Sequence, residues 1–553
     1  MIKLKSFLFG ALTLFLSSAF SQEENRYFVY FKDKGAESNP YSLASPASFL
    51  TERALDRRNK QNIDLDSTDL PVNPAYVSAL ENAGSDVFFT SKWLNGALLQ
   101  ASASRENAIR QLDFVDSLRL VAAGTRLVRE QEVVEVPIAF DAPEEILGDS
   151  EIQLMMLGAD RMLLDSVMGQ GVRIAVLDNG FTGVNRYLQF QHLWEDNHII
   201  GTKDFVENSG NVFQFGSHGT SVFSTIGALM ETDTIDYYGI AHRAEFILCV
   251  TEDNQGENTI EEYNWLIAAE YADSLGVDII NASLGYRTFD IQEQNYGFDD
   301  LDGKTAIVSY AAQVAARKGI IVVTSAGNSG RRSHPGNQMS HPADADSILA
   351  VGSVNADFSR SDFSSVGPTS DGRIKPDISA FGFGTAVVRG NGDIERGSGT
   401  SFAAPLIAGF AAGVWQLNPD MTSQEVIQEI KRSGHKADAP DTLLGFGVPN
   451  YSYILGVEEE RGISIKDIIE GKVTFYPNPF SGNKLFFSTE GSFNVPIQIR
   501  IVDPKGSFIY NETFQPEDLG TTVEIPIEAI HQGIYYLFLQ SENMQKVVKL
   551  INF

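Results

Sequence analysis

The chain has 553 residues, one cysteine and a formal net charge of −30. That length exceeds one ordinary hydrophobic core and fits roughly three or four domains. The acidic balance excludes a nucleic-acid binder, which needs a basic face, and a lone Cys249 excludes an intramolecular disulfide.

Met1-Ile2-Lys3-Leu4-Lys5, an apolar run from Phe7 to Leu16 and then Ala19-Phe20-Ser21 read as a secretory signal over residues 1–21. The run is short of the ~20 residues a spanning helix needs. No other stretch reads as long enough, so no integral membrane segment is expected in the mature chain.

Residues 22–140 read as a small α+β unit. Strands are expected at Arg26–Phe31, Asp86–Thr90, Leu94–Ala101 and Ser117–Val121, and helices at Phe49–Lys60, Pro74–Ala83 and Arg105–Asp113. This unit holds no cluster of catalytic residue types. An acidic stretch from Glu132 through Pro137 to Asp149, with Pro143, reads as an exposed hinge, and a linker with a processing site is placed at 141–151.

From 152 to 458 apolar strands alternate with helices: strands at Val172–Leu177, Glu245–Val250, Val277–Asn281 and Ile320–Thr324, helices at Thr220–Met230, Thr259–Leu275 and Thr305–Lys318. Continuous apolar strands between helices predict a parallel sheet covered on both faces. Functional groups in such sheets gather beyond the carboxyl ends of the strands. Cys249 lies inside an apolar strand and reads as core packing. Residues 470–553 change to short alternating strands and predict a sandwich of about seven.

Three element edges carry reactive side chains. Asp178 follows the strand Arg173–Leu177, His218 opens a small-residue helix, and Ser401 lies in Gly397-Ser398-Gly399-Thr400-Ser401-Phe402-Ala403-Ala404-Pro405, a turn entering a helix. Pro405 is expected in the first helical turn, where its missing N–H is not needed. Serine attacks a carbonyl when histidine takes its proton and a carboxylate fixes the imidazole. Asp, His, Ser is one of the chain orders in which such a triad occurs. Asn328, in Ala326-Gly327-Asn328, follows another strand and can donate where negative charge develops, together with the Ser401 N–H.

Asp178-Asn179-Gly180, His218-Gly219-Thr220-Ser221-Val222, Ala326-Gly327-Asn328 and Gly399–Pro405 together resemble the subtilisin-like serine proteases, the subtilases, across residues 152–455. The resemblance implies an α/β fold: a subtilase-like parallel sheet flanked by helices, preceded by a propeptide and followed by a small β-sandwich. It implies a secreted serine-type endopeptidase with Asp178, His218 and Ser401 as triad and Asn328 as oxyanion donor. It also implies that Ser283-Leu284-Gly285 and Ala326-Gly327 bind peptide substrate, the first as an added strand. Asn179 stands where the family often has Ser or Thr, and Phe402 where Met is common. No cofactor is assigned. Family members often bind calcium, but the acid-rich run Asp299–Gly303 reads as a solvated loop.

The α+β unit occupies the place of the subtilase propeptide, an inhibitor and folding aid, so self-cleavage is expected between Val136 and Ser150. Phe475-Tyr476-Pro477-Asn478-Pro479-Phe480 and Gly533-Ile534-Tyr535-Tyr536-Leu537 resemble the C-terminal sorting domains of type IX secretion, which implies a secretion-machinery partner. Two rival readings are an adhesion or binding protein on a dead protease scaffold and a narrow processing protease. All four catalytic positions are filled, which argues against the first. Digestion of unfolded casein-like substrates separates broad digestion from narrow processing.

Overall fold

The structure, a computed structural model, describes residues 24–124, 150–231, 236–254, 256–331 and 338–455, with seven strands and a few adjoining residues between 473 and 552. The expected signal segment, most of the linker and the Pro477-Asn478-Pro479 turn lie outside the described residues.

The first unit contains β1 (Glu24–Phe31), α1 (Glu52–Lys60), α2 (Pro74–Asn82), β2 (Asp86–Ser91), β3 (Gly96–Ser102) and β4 (Val115–Ala122). Thr51 caps α1 by accepting the Ala54 N–H, and Asn73 caps α2 ahead of Pro74. The strands form one antiparallel sheet in the order β2-β3-β1-β4.

The central domain is built on β5 (Arg173–Asp178), β6 (Ile199–Asp204), α3 (His218–Gly227), β7 (Glu245–Val250), α4 (Ile260–Ser274), β8 (Ile279–Ala282), α5 (Ile307–Arg317), β9 (Ile321–Ser325), β10 (Leu349–Val354), β11 (Ile378–Phe381), the hairpin β12 (Phe383–Val388) and β13 (Ile394–Ser398), and α6 (Thr400–Leu417). Seven strands make one parallel sheet in the order β11-β10-β9-β8-β5-β7-β6. Alternate residues feed opposite cores. Ile174 and Val176 join the cluster under α3 and α6, whereas Ala175 and Leu177 join the one under α4 and α5. This two-sided burial explains why the strands read as unbroken apolar runs.

Strands β6, β10 and β11 and the β12–β13 hairpin were not expected from the sequence, and the expected helix Thr220–Met230 starts earlier and ends at Gly227. Among the described residues α6 alone is long and apolar enough to cross a membrane, contrary to the expectation that no such stretch follows the first 21 residues. It is instead the central helix of one core, with Phe402 through Val414 buried. A Cβ on Gly409 would lie 2.8 Å from Ile240 Cβ, and one on Gly413 would lie 2.0 Å from Met162 Cε, so small residues set how closely α6 approaches its neighbours.

The first unit lies on α4 and α5. Phe28, Trp93, Leu98 and Val121 belong to the same core cluster as those helices, and Phe28 stacks on Tyr263 at 4.6 Å. Arg57 reaches across to the Asp273 carboxylate and to the carbonyls of Val277 and Lys318. Arg58 and Lys92 meet the same carboxylate at 2.8 and 2.9 Å. Burial by itself raises the Asp273 carboxyl, but Lys92, Arg57 and Arg58 outweigh it and hold it well below the usual carboxylate range. Glu270 accepts the Ser91 hydroxyl and the Lys92 and Trp93 amides.

The C-terminal strands are β14 (Val473–Tyr476), β15 (Lys484–Thr489), β16 (Ile497–Val502), β17 (Phe508–Phe514), β18 (Thr522–Pro526), β19 (Gly533–Ser541) and β20 (Met544–Asn552). They form antiparallel sheets β14-β15-β18 and β17-β16-β19-β20 around a shared core of Phe487, Ile499, Leu537 and neighbours.

Candidate active site

Asp178 is the last residue of β5, and its side chain is fully buried. Its Oδ1 accepts the Asn179 amide at 2.8 Å and lies 2.8 Å from His218 Nδ1. Its Oδ2 is buried with no hydrogen-bond partner among the described residues, so His218 is the group that answers its charge. Two glycines permit this approach. A Cβ on Gly219 would come within 2.9 Å of Asp178 Cβ, and Gly180, at φ +142°, would drive one into the Phe215 carbonyl. The Asp178 carboxylate raises His218 above the ordinary imidazole range, against burial, which lowers it. With Nδ1 engaged, Nε2 is the nitrogen left for chemistry.

Ser401 is the second residue of α6, where backbone N–H groups have no helical partner. The next residue, Phe402, sets its ring 6.0 Å from that of His218 and so brings the two helix starts together. Pro405 is not in the first turn as expected; it lies a full turn after Ser401, inside the helix. Its missing N–H deprives the Ser401 carbonyl of its helical bond. The Ser283 hydroxyl supplies the replacement at 2.8 Å, while Ser401 Oγ donates to the Ser283 carbonyl at 3.3 Å. The nucleophile-type serine and the expected substrate segment are therefore tied to each other.

Asn328 is exposed beyond β9. Its Oδ1 accepts from Thr400 N at 3.0 Å and Thr400 Oγ1 at 3.1 Å. The Thr400 hydroxyl in turn accepts the Gly327 amide at 3.2 Å. A backbone N–H can only donate, so the amide oxygen is the bound end and Nδ2 is the end left as donor. Nδ2 lies 3.8 Å from the Cβ position of Gly399, beside the Ser401 turn. Ser283, Leu284 and Gly285 leave the end of β8, and Ala326-Gly327 leave the end of β9. All nine expected site residues thus stand at one edge of the sheet.

Sequence reasoning missed several groups at this edge. Thr400 orients Asn328. Glu252 follows β7 and accepts from Thr251 Oγ1 at 2.7 Å and Tyr286 OH at 2.5 Å; burial pushes its carboxyl up to about 8. Asn179 and Phe402, noted above as departures from the family's usual residues, both neighbour His218: Asn179 Oδ1 accepts the His218 amide at 3.2 Å, and the Phe402 ring lies 6.0 Å from the imidazole. Their position on either side of His218 in the chain was visible, but no periodicity marks such contacts.

Cys249 is fully buried and burial pushes its thiol up, away from reactive thiolate. In the Asp299–Gly303 run, Asp302 Oδ1 accepts the Lys304 and Thr305 amides and Asp300 Oδ2 the Gly297 amide, so these carboxylates hold their own turns rather than form a ligand set. Among the described residues no group of three or more His, Cys, Asp or Glu side chains is arranged to hold a metal ion.

Residues 169–447 match the family model described as Subtilase family. Residues 26–134 match the one described as Peptidase S8 propeptide domain, Bacteroidota, and residues 474–552 the secretion system C-terminal sorting domain. The chain is 32% identical over 260 residues to subtilisin NAT of Bacillus subtilis subsp. natto, covering 47% of this chain and 59% of that one. It is 31% identical over 260 residues to a subtilisin of Bacillus pumilus, covering 47% of this chain and 82% of that one. With the major intracellular serine protease of Bacillus subtilis it shares 28% identity over 322 residues, 56% and 91% of the two chains. The chain belongs to the subtilase family. It carries a propeptide domain of the same peptidase class ahead of the sheet and a type IX sorting domain behind it, which assigns it to secretion or the cell surface. It spans about three fifths of the length of the first of these relatives.

Proposed function

We propose that the chain is a serine endopeptidase made as an inactive precursor, with Ser401 as nucleophile, His218 as general base and acid, and Asp178 as the group that fixes His218. The observation that carries this reading is the 2.8 Å pair between Asp178 Oδ1 and His218 Nδ1 beside a serine at a helix start. Ser401 Oγ attacks the scissile carbonyl carbon as His218 Nε2 takes its proton. The negative oxygen is held by the Ser401 N–H and Asn328 Nδ2. The carbon–nitrogen bond breaks as His218 returns the proton to the leaving amine, and water then hydrolyses the acyl-enzyme by the same relay. Ser283–Gly285 and Ala326–Gly327 hold the peptide, the former as an added strand.

The domain over residues 22–140 acts as propeptide and partner, with cleavage in the stretch Val136–Ser150. The test compares secreted protein with its Ser401→Ala form. Expected are casein hydrolysis and a new terminus after residue 136 in the first, and neither in the second, with both chains folded by circular dichroism. Equal hydrolysis by the two overturns the triad. An adhesion protein would leave both inert, and a narrow processing enzyme would cut its own precursor but spare casein.

A further inference from the structure

We propose that Arg389 selects substrates carrying an acidic residue at the first or second position after the scissile bond. This rests on the reading above and extends it to the leaving-group side of the site.

In that chemistry the departing amine takes its proton from His218, so the substrate chain beyond the bond leaves past the His218 ring. Phe402 borders this exit, its ring 6.0 Å from that of His218. The guanidinium of Arg389 lies over the Phe402 ring, with Cζ 5.9 Å from its centre. Ser283 bonds Ser401 directly and Asn328 bonds Thr400, whereas Arg389 reaches the site through the Phe402 ring. Arg389 therefore stands where a substrate emerges, not where its acyl half binds.

The side chain is held in place. Arg389 opens the turn between β12 and β13, closed by Arg389 N to Asp393 O at 2.8 Å and Gly392 N to Arg389 O at 2.9 Å. Tyr187 OH and Gln189 Nε2 donate to the Gly390 and Gly392 carbonyls, each at 2.9 Å. A Cβ on Gly390 would lie 2.4 Å from Ser217 Cβ, so the turn abuts the residue before His218. Gly397 makes the room: a Cβ there would lie 3.1 Å from Arg389 Nη2 and 2.6 Å from Phe402 Cε2. Nε donates to Glu395 at 3.1 Å and Nη2 to the Arg396 carbonyl at 3.3 Å, which leaves Nη1 unengaged by the described residues. The Glu395 pair is part-exposed, at 31% and 39%, and such pairs yield readily to a competing carboxylate.

The field around His218 is divided accordingly. Asp178 and Glu252 favour its protonated form, and Arg389 opposes it. Glu252 is bonded to Tyr286, next to the expected substrate segment Ser283–Gly285, so the negative and positive groups that act on the imidazole come from different elements. A carboxylate after the bond meets Arg389 by a charge-assisted, two-pronged geometry that lysine cannot copy. The chain itself supplies such a peptide: residues 130–149 carry Glu130, Glu132, Glu135, Asp141, Glu144, Glu145 and Asp149.

The test uses the secreted, matured protein and three peptides that differ only at the two positions after the bond, bearing Asp, Ala or Lys. Active sites are counted with a serine-directed phosphonylating reagent, so that misfolded protein does not enter the rates. Wild type is expected to cleave the Asp peptide at least about tenfold better than the Ala peptide in kcat/KM, and the Lys peptide worst. Arg389→Ala is expected to remove the preference, Arg389→Glu to reverse it, and Arg389→Lys to keep part of it. Equal rates on the three peptides, or a preference that survives in Arg389→Glu, overturn the proposal while leaving the protease reading intact. Failure of wild type to cleave any peptide or react with the reagent overturns the protease reading itself.

Discussion

Asn328 Oδ1 takes two hydrogen bonds from one residue, the N–H and the hydroxyl of Thr400, at 3.0 and 3.1 Å. The neighbour of the proposed nucleophile thus sets which end of the Asn328 amide is left to donate. Asn328→Ala is expected to lower kcat by about 10²–10³ with little change in KM, because the donor acts on charge present only near the transition state. Thr400→Val keeps the N–H anchor and loses the hydroxyl, so its fall in kcat is expected to be much smaller. Steady-state kinetics on one peptide checks the order. A loss appearing mainly in KM would assign Asn328 to the turn instead.

The pH profile follows from Asp178. As the proposed general base His218 must be neutral to take a proton, and the Asp178 carboxylate raises it above its ordinary value of 6.5. Activity is therefore absent well below that value and appears as pH rises through a midpoint above 6.5 in kcat/KM. Asp178→Asn removes the raising charge, so the midpoint should move down while kcat falls by about 10⁴. A midpoint unmoved by Asp178→Asn would show that another group titrates.

Arg57 tests the hold of the first unit on the central domain. Its guanidinium bonds all cross to Asp273, Val277 and Lys318, and it is 4% exposed. In the free first unit those partners are gone, so Arg57→Ala is expected to leave that unit folded. It deprives Asp273 of one of three buried cations, and breaking such a pair costs about 3–5 kcal/mol. Wild-type protease inhibited by the added unit should need at least about a hundredfold more of the Arg57→Ala unit. Unchanged inhibition would place the binding energy in the apolar contacts around Phe28 and Trp93.

Much of this was legible because it depends on local rules. Apolar runs marked β5, β7, β8 and β9, and the residue after each run fell at the sheet edge. The order of Asp178, His218 and Ser401 could be read directly. Strands β6, β10 and β11 escaped because glycines and polar residues interrupt them: Gly201, Thr202 and Lys203 in β6, Gly352 and Ser353 in β10, Ser379 in β11. Pro405 was placed one turn too early because the compensation for its missing donor comes from Ser283, far away in the chain. Thr400, Glu252 and Arg389 were invisible for the same reason, since each acquires its role from a partner that only the fold brings near.

The buried contacts between Arg57, Arg58, Lys92 and Asp273 join parts of one molecule, linked through residues 125–149. While that link is whole, docking is unimolecular, and a short tether presents a partner at an effective concentration on the order of millimolar. Even a modest intrinsic affinity keeps the face of α4 and α5 covered. Once the link is cut, the same contacts become bimolecular and compete with dilution. After the proposed cleavage volume governs occupancy: in a confined compartment the pieces stay together, and on dilution they part at a rate set by these ion pairs and the apolar contacts around Phe28 and Trp93.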